Sequence, residues 1–433
     1  MSHWRGLRAG AGLRSCTSRT SAPLPPLPGP ASRSRLHVAA STSHSSPSSS
    51  SSSPSTSSSP TASASSASSV SNVGTYKWGN AKNERRPRPE NVPGSFFVDS
   101  TCIDCDTCRW MAPDVFARVG RQSAVTRQPG GREGRLAAMR ALLSCPTYSI
   151  HVTDRTGDEL KEAQASLPAP VPGLVHVAAT GASDHGGDGR TADPGVYYTG
   201  WATEKSYAGA AYLVVRPQGG NILVDSPRFN PVLARRLEAM GVVVAIFLTH
   251  RDDVGDHEAW ARHFKAPRIL HETECNSRQG TDKVEIKLQG AGPWALRQGP
   301  GGAISAEPLP AEGAEGAAGA DDTLLIHTPG HTVGHVCMYY APAQTLFSGD
   351  HLCSAVGETD SAGEDELYVF KDFNWYDFPQ QLKSVAKLLQ YDWLHVLPAH
   401  GRRARFRDAA ARLASVSRLL QSHGAGAGVG GRG

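Results

Sequence analysis

From Tyr197 onward, short apolar β-branched runs alternate with amphipathic segments, the pattern of strands interleaved with helices. "AAYLVV" and "NILVDS" flank the polar turn "RPQGG" and predict a hairpin. "NPVLARRLEAMG" predicts a helix with Asn230 as N-cap, Pro231 in the first turn and Gly241 as the stop. The run "VVVAIFL" predicts a buried strand, and a loop dense in histidine and aspartate, "THRDDVGDH", follows it directly. Three later apolar runs end in the same way: "TLLIHTPGH" on His331, "TLFSGDH" on Asp350 and "WLHVLPAH" on His400. "FRDAAARLASVSRLLQSH" predicts an amphipathic C-terminal helix, and residues 423–433 a frayed tail.

Composition divides the chain. The first 83 residues contain no Asp or Glu, eight Arg or Lys, and a long Ser/Pro/Thr/Ala tract. This is the composition of an organelle transit peptide with a disordered linker. Dominance of Ser and Thr over any Arg-rich amphipathic helix points to the chloroplast stroma ahead of the mitochondrion. Without this leader, 44 − 8 = 36 basic residues face 40 acidic ones, a net charge of −4, so nucleic-acid binding has no support. No apolar run of about 18 residues argues for a membrane span. The expected organisation is a leader over 1–83, a small module over 84–165, a Gly/Pro/Ala-rich linker over 166–196, and an α/β domain over 197–422. The Gly/Ala/Pro-rich stretch 290–319 reads as a surface insertion.

The cysteines are spaced for a cluster. Cys102, Cys105 and Cys108 form "CIDCDTC", and Cys145 stands before Pro146. Three thiolates on one tight loop plus a distant Cys-Pro are what a cubane iron–sulfur cluster requires, whereas a structural zinc site does not call for the Cys-Pro. Cys275, Cys337 and Cys353 have no matching spacing and read as ordinary thiols. Residues 96–150 resemble the single-cluster bacterial-type ferredoxins, including "APDVF" after the third cysteine. The resemblance implies one [4Fe-4S] centre on Cys102, Cys105, Cys108 and Cys145 in a small α+β module.

Imidazole and carboxylate side chains at the C-terminal ends of strands are the vocabulary of a metal site, and in α/β sheets that edge is where sites assemble. Residues 195–403 resemble the metallo-β-lactamase-fold superfamily, whose first motif is H-x-H-x-D-H, followed by Gly-His, Gly-Asp and a final His. The resemblance implies an αββα sandwich holding two divalent metal ions, zinc or iron/manganese. It places His250 in the first histidine slot, Asp256 and His257 in the closing Asp-His, His331 in the Gly-His, Asp350 as the bridging carboxylate and His400 last, with Asp256 also the catalytic carboxylate. Two extra residues separate His250 from Asp256, and no histidine fills the second slot. Asp252 is the natural substitute, because i and i+2 point the same way in extended chain, with Asp253 the second choice. His271, His327, His335 and His351 read as supporting hydrogen-bond partners. Arg402 and Arg403 are placed either to meet an anionic substrate or to start a solvated helix.

The whole arrangement resembles ferredoxin-fused metallo-β-lactamase-fold proteins of plastid and cyanobacterial type. The expected activity is hydrolysis of a small ester- or thioester-like substrate by metal-bound hydroxide, with the iron–sulfur module as an electron-transfer attachment that engages a redox partner. The alternative is a di-iron oxidoreductase fed by the cluster, as in flavodiiron proteins, although no flavin-binding segment is visible.

Overall fold

The structure is a computed structural model that describes residues 85–175, 192–309, 321–354 and 366–424. The expected leader and most of the expected tail lie outside these residues. The N-terminal module contains β1 (Phe96–Val98), α1 (Thr107–Met111), the hairpin β2 (Phe116–Val119) and β3 (Gln122–Val125), α2 (Gly131–Ser144), β4 (Ile150–Val152) and α3 (Gly157–Ala165). β1 pairs antiparallel with β4, closing the module across the sequence between them. α3 starts at a capping box in which Thr156 and Glu159 satisfy each other's backbone amides.

Among the described residues two seven-stranded sheets follow. The first joins β5 (Ala169–Val175), β6 (Gly195–Tyr198), β7 (Tyr212–Val215), β8 (Asn221–Val224), β9 (Val243–Phe247), β10 (Arg268–His271) and β11 (Ile286–Leu288) side by side in that order. Its helices are α4 (Pro231–Ala239), capped by Asn230 as its sequence predicts, and α5 (His257–Phe264). β8, β9, β10 and β11 run parallel, which suits the uninterrupted apolar sequence of β9.

The second sheet has the order β13 (Ile304–Pro308), β12 (Trp294–Gln298), β14 (Thr323–His327), β15 (Val336–Tyr340), β16 (Thr345–Gly349), β19 (His395–Pro398) and β20 (Ala404–Arg405). A small pair, β17 (Cys353–Ser354) and β18 (Leu367–Tyr368), lies between β16 and α6 (Phe378–Lys387) in the chain, and α7 (Ala409–Ser422) ends the domain. Alternation along these strands builds the layers. Leu325, Met338, Phe347 and Leu397 join the buried cluster of the first sheet. Leu324, Ile326, Tyr339, Leu346 and Val396 join Leu382 and Val385 of α6 and Val416, Leu419 and Leu420 of α7 in a second cluster. Helix, sheet, sheet, helix is the αββα sandwich.

Two expectations change here. The segment expected to be a linker supplies β5, with Val171 and Leu174 buried. Its prolines are tolerated because β5 is the sheet's outer strand, where a missing N–H costs no ladder bond. Part of the stretch read as a surface insertion is the hairpin β12–β13, anchored by buried Trp294, Ala295 and Leu296 against β14. Its remainder, 310–319, lies outside the described residues. The N-terminal module has no separate core: Phe96, Phe116, Met139 and Ile150 belong to the same buried cluster as the first sheet.

Candidate metal centre and iron–sulfur seat

Cys102, Cys105, Cys108 and Cys145 line one small cavity with Val98, Ile103 and Ile150. Asp104 and Asp106 hold left-handed backbone, φ 62° and 67°, so the cysteine loop folds back on itself. Arg109 pins that curl through Asp104 Oδ1 at 2.8 Å and Asp106 Oδ1 at 2.6 Å. The Ser123 and Ser149 amides donate to Cys102 Sγ and Cys145 Sγ at 3.4 and 3.3 Å. Burial, with the neighbouring Cys145, pushes the Cys105 thiol up to about 11, and burial raises Cys108 further above its ordinary value. Four thiols around one small cavity, two of them met by amide donors at sulfur, fit an iron–sulfur cluster, whose irons take up the thiolate charge. Cys275, Cys337 and Cys353 lie on other elements, away from this cavity.

The second centre forms where strands end. His250 follows β9, His331 follows β14, Asp350 follows β16 and His400 follows β19. Ligand atoms of His250, His331 and Asp350 lie within 4.8 Å of one another, as do those of Asp253, Asp350 and His400. Asp350 belongs to both sets: its Oδ2 is 3.7 Å from the Nε2 atoms of His250 and His331, and its Oδ1 accepts from His400 Nδ1 at 2.7 Å. Asp252 Oδ2 completes the first set at 3.8 Å from His250 Nε2 and 3.7 Å from His331 Nε2. Asp253 Oδ2 is 4.0 Å from His400 Nδ1. The fit to metal is carried by unpartnered atoms. His250 Nε2, His331 Nε2, Asp252 Oδ2 and both Asp253 oxygens are buried without a hydrogen bond, an expensive state that a cation relieves.

The charges are arranged around the shared carboxylate. Burial lowers the His250 imidazole to about 4, keeping it a neutral donor. Burial, then the charge of Asp350, raises Asp253 well above the carboxylate range. Burial opposes a charged His400, yet Asp350 and Asp253 lift it to about 10. Asp350 is held below its ordinary value against its own burial, first by the charge on His400. Without a metal, Asp350 is therefore the one carboxylate of the second set that its surroundings hold in the charged form, and it faces the proton on His400.

Two expected ligands are not in the cluster. Asp256 Oδ2 accepts from the Phe229 amide at 2.9 Å and Oδ1 from Lys205 Nζ at 2.5 Å. His257 engages both ring nitrogens elsewhere, Nε2 with Gln279 O at 2.9 Å and Nδ1 with Arg268 Nη1 at 3.1 Å. The cause is local. Arg251–Asp253 is a single 3-10 turn that presents Asp252 and Asp253 together, after which Gly255 at φ 47° redirects the chain and α5 leads Asp256 and His257 away. Asp252 is thus placed by a helical turn, not by the extended chain its sequence suggested. Asp253, the second choice on sequence, occupies the position expected of Asp256. Gly209 is small for its sake: a Cβ there would meet Asp253 Oδ1 at 2.6 Å.

Sequence reasoning missed Asp225, the acidic residue that follows the apolar run of "NILVDS". It accepts from the Thr249 amide at 2.8 Å and hydroxyl at 3.0 Å, and Thr249 Oγ1 lies 3.0 Å from His250 Nδ1. Burial raises this carboxyl to about 7. His335 and His351 are fully buried behind His250, with ring centres 5.1 Å apart for His250–His335 and 5.4 Å for His335–His351. His271 stacks on His327 at 4.5 Å. Arg402 and Arg403 are only partly exposed and start no helix. Arg402 pairs with Asp106 of the cysteine loop, Nε to Oδ2 at 2.7 Å, and Arg403 lies 4.7 Å from the Trp110 ring centre.

Residues 98–152 match the 4Fe-4S single cluster domain of Ferredoxin I, and residues 207–400 match the metallo-beta-lactamase superfamily. The chain is therefore a ferredoxin-type iron–sulfur module followed by a metallo-β-lactamase-superfamily domain. Among curated proteins it is similar to hydroxyacylglutathione hydrolases: 28% identical over 134 residues to that of Cereibacter sphaeroides, covering 31% of this chain and 44% of the relative. The Salmonella paratyphi B protein of the same name is 29% identical over 145 residues, covering 33% and 47%. The chain thus spans less than half the length of these relatives. Among solved structures, the DIM-1 metallo-beta-lactamase is 14% identical, covering 53% of this chain and 94% of that one at a TM-score of 0.35. TTHA1623 in a di-iron-bound form is 23% identical, covering 49% and 95% at 0.32.

Proposed function

We propose that this chain is a metal-dependent hydrolase of a small ester or thioester, with an iron–sulfur electron-transfer module attached. The observation that supports it best is the pair of ligand sets sharing Asp350, whose buried donor atoms have no protein partner. His250, Asp252, His331 and Asp350 would hold one divalent ion, and Asp253, Asp350 and His400 a second. Two such ions, zinc, iron or manganese, supply Lewis acidity to a carbonyl oxygen and acidify a water. The protein's part is positional. Asp350 spaces the two sets, and the Asp225–Thr249 pair fixes the backbone that presents His250. Trp375, 57% exposed, is tied to the metal loop by its amide, which donates to His331 O at 2.9 Å, and offers an apolar shelf for an acyl group. The name of the curated relatives, a hydrolase of a glutathione conjugate, agrees with a thioester preference.

The test is release of free thiol from a panel of S-acyl compounds by zinc-loaded protein, with ester substrates alongside. Turnover that Asp350→Asn abolishes supports the reading; turnover that survives in this variant refutes it.

One observation favours a second reading, a di-iron oxidoreductase fed by the cluster. Tyr207 spans the two centres: its hydroxyl donates to Ile103 O in the cysteine loop, and its carbonyl lies 3.3 Å from His400 Nε2. Three carboxylates in the ligand sets also suit iron or manganese better than an all-histidine site would. Anaerobic reduction followed by spectroscopy of iron outside the cluster separates the two. A second iron pool reoxidised by dioxygen, with no hydrolysis in either state, selects the oxidoreductase.

A further inference from the structure

The turn His400–Arg403 joins the two centres within four residues. His400 faces Asp350 and Asp253 through Nδ1, and its Nε2–H donates to the carbonyls of Ser206 at 3.1 Å and Tyr207 at 3.3 Å. Tyr207 itself is in left-handed backbone at φ 49°, and its hydroxyl reaches Ile103 O, between Cys102 and Cys105. Gly401, at φ 87°, allows the reversal; a Cβ there would meet Cys353 Sγ at 2.6 Å. Arg402 then donates to both oxygens of Asp106, at 2.7 and 3.2 Å, and Asp106 stands between Cys105 and Cys108. Arg403 enters a seam of aromatic rings, 4.7 Å from Trp110 of the module and 5.3 and 5.5 Å from Tyr198 and Tyr212 of the first sheet. Its Nη2 is buried there without a hydrogen-bond partner.

His400 is thus held from both sides by groups that end on the cysteine loop. Arg402 makes a bidentate, largely buried ion pair, the geometry in which arginine adds orientation as well as attraction. Arg403 stacks instead of pairing, so it fixes the turn through shape. A cysteine loop wrapped around a cluster is a rigid anchor for both. Emptied of its cluster, that loop would keep four unligated thiols, two of them buried, and of the side-chain anchors within the module only Arg109 would still hold Asp106.

We propose that Arg402 is a positioning residue that makes the iron–sulfur module a structural part of the second metal set, so that His400 is in ligating position only while the cluster orders the cysteine loop. The inference rests on the two-ion reading above and is independent of which reaction the ions serve. It gives the module a function that hydrolysis does not otherwise require, coupling the metal centre to the state of an oxidation-sensitive cluster.

Cobalt(II) titration of the full-length, cluster-loaded protein tests this, read by visible absorption, with iron and sulfide counted in the same samples. Wild type should take up two cobalt ions. Arg402→Gln should take up the first as wild type does and bind the second about 10 to 100-fold more weakly, the usual effect of losing a group that orients a ligand. Arg402→Lys should recover part of the loss. Wild type freed of its cluster by anaerobic chelation, before any cobalt is added, should show the same selective loss at the second set, with cobalt bound by the four freed thiols counted apart through its thiolate charge-transfer absorption. Should Arg402→Gln fail to fold, the cluster-free wild type decides alone. Unchanged second-ion affinity in the folded variant or in the cluster-free protein overturns the inference. Uptake of a single cobalt by cluster-loaded wild type overturns the two-ion reading itself.

Discussion

Asp253→Asn separates the ligand arrangement of the structure from the one implied by the family motif. The substitution keeps the shape of the side chain and removes its charge. In metal-free protein the Asp253 carboxyl already sits well above the ordinary carboxylate range, first through burial and then through the charge of Asp350, so losing its ability to ionise changes little. Metal-free variant and metal-free wild type should melt within about 2–4 °C of each other, the shift that about 1 kcal/mol produces. Loaded protein should differ sharply. A thousandfold loss of affinity at the second set removes about 4 kcal/mol of ligand-linked stability, or roughly 10 °C of the rise that metal produces in wild type. Asp256→Asn should behave in the opposite way. It loses the charge that meets Lys205 and lowers both curves, but keeps the full metal-induced rise. Scanning calorimetry with saturating zinc and with chelator, on both variants, gives the four differences required. A normal metal-induced rise in Asp253→Asn together with its loss in Asp256→Asn would falsify the assignment.

Cys145→Ser should lower cluster iron and sulfide, whereas Cys275→Ser, on a different element, should leave both at wild-type levels; equal losses in elemental analysis would contradict the cluster seat. Trp375→Ala should raise KM for long-chain S-acyl substrates several-fold with kcat nearly unchanged, and an equal effect on acetyl and long-chain substrates in steady-state kinetics would remove the apolar shelf from the account. Gly209→Ala should weaken the second metal set by pushing on Asp253 while sparing the first, checked by the stoichiometry of tightly bound zinc. The expected chloroplast targeting of residues 1–83 is tested by fusing them to a fluorescent reporter in plant cells; fluorescence confined to mitochondria or cytosol would contradict it.

Sequence revealed what depends on local signals. An apolar run followed by a polar strand end is a contiguous pattern, and it brought out His250, His331, Asp350 and His400 before any geometry was known. The spacing of Cys102, Cys105 and Cys108 is equally local, and the distant Cys145, which shares their cavity, was tied to them by its Cys-Pro signature. The helix at Pro231–Ala239 followed from its cap and stop residues. The second half of "THRDDVGDH" did not follow. Counting positions favoured Asp256 and His257, but a 3-10 turn has neither strand nor α-helical period. The groups that draw these two side chains away, Lys205, Arg268 and the Gln279 carbonyl, are remote in sequence. The same holds for Arg402, whose partner Asp106 is 296 positions earlier. Prolines hid β5, because their cost in a sheet depends on whether the strand is at an edge, and edges are decided by the whole topology.

The most direct test of the central claim is anomalous diffraction from crystals of zinc-loaded protein, with data on both sides of the zinc edge. Two zinc peaks are expected, one among His250, Asp252, His331 and Asp350 and the other among Asp253, Asp350 and His400, with Asp350 contacting both. A single peak, or a peak at Asp256 and His257, would contradict it.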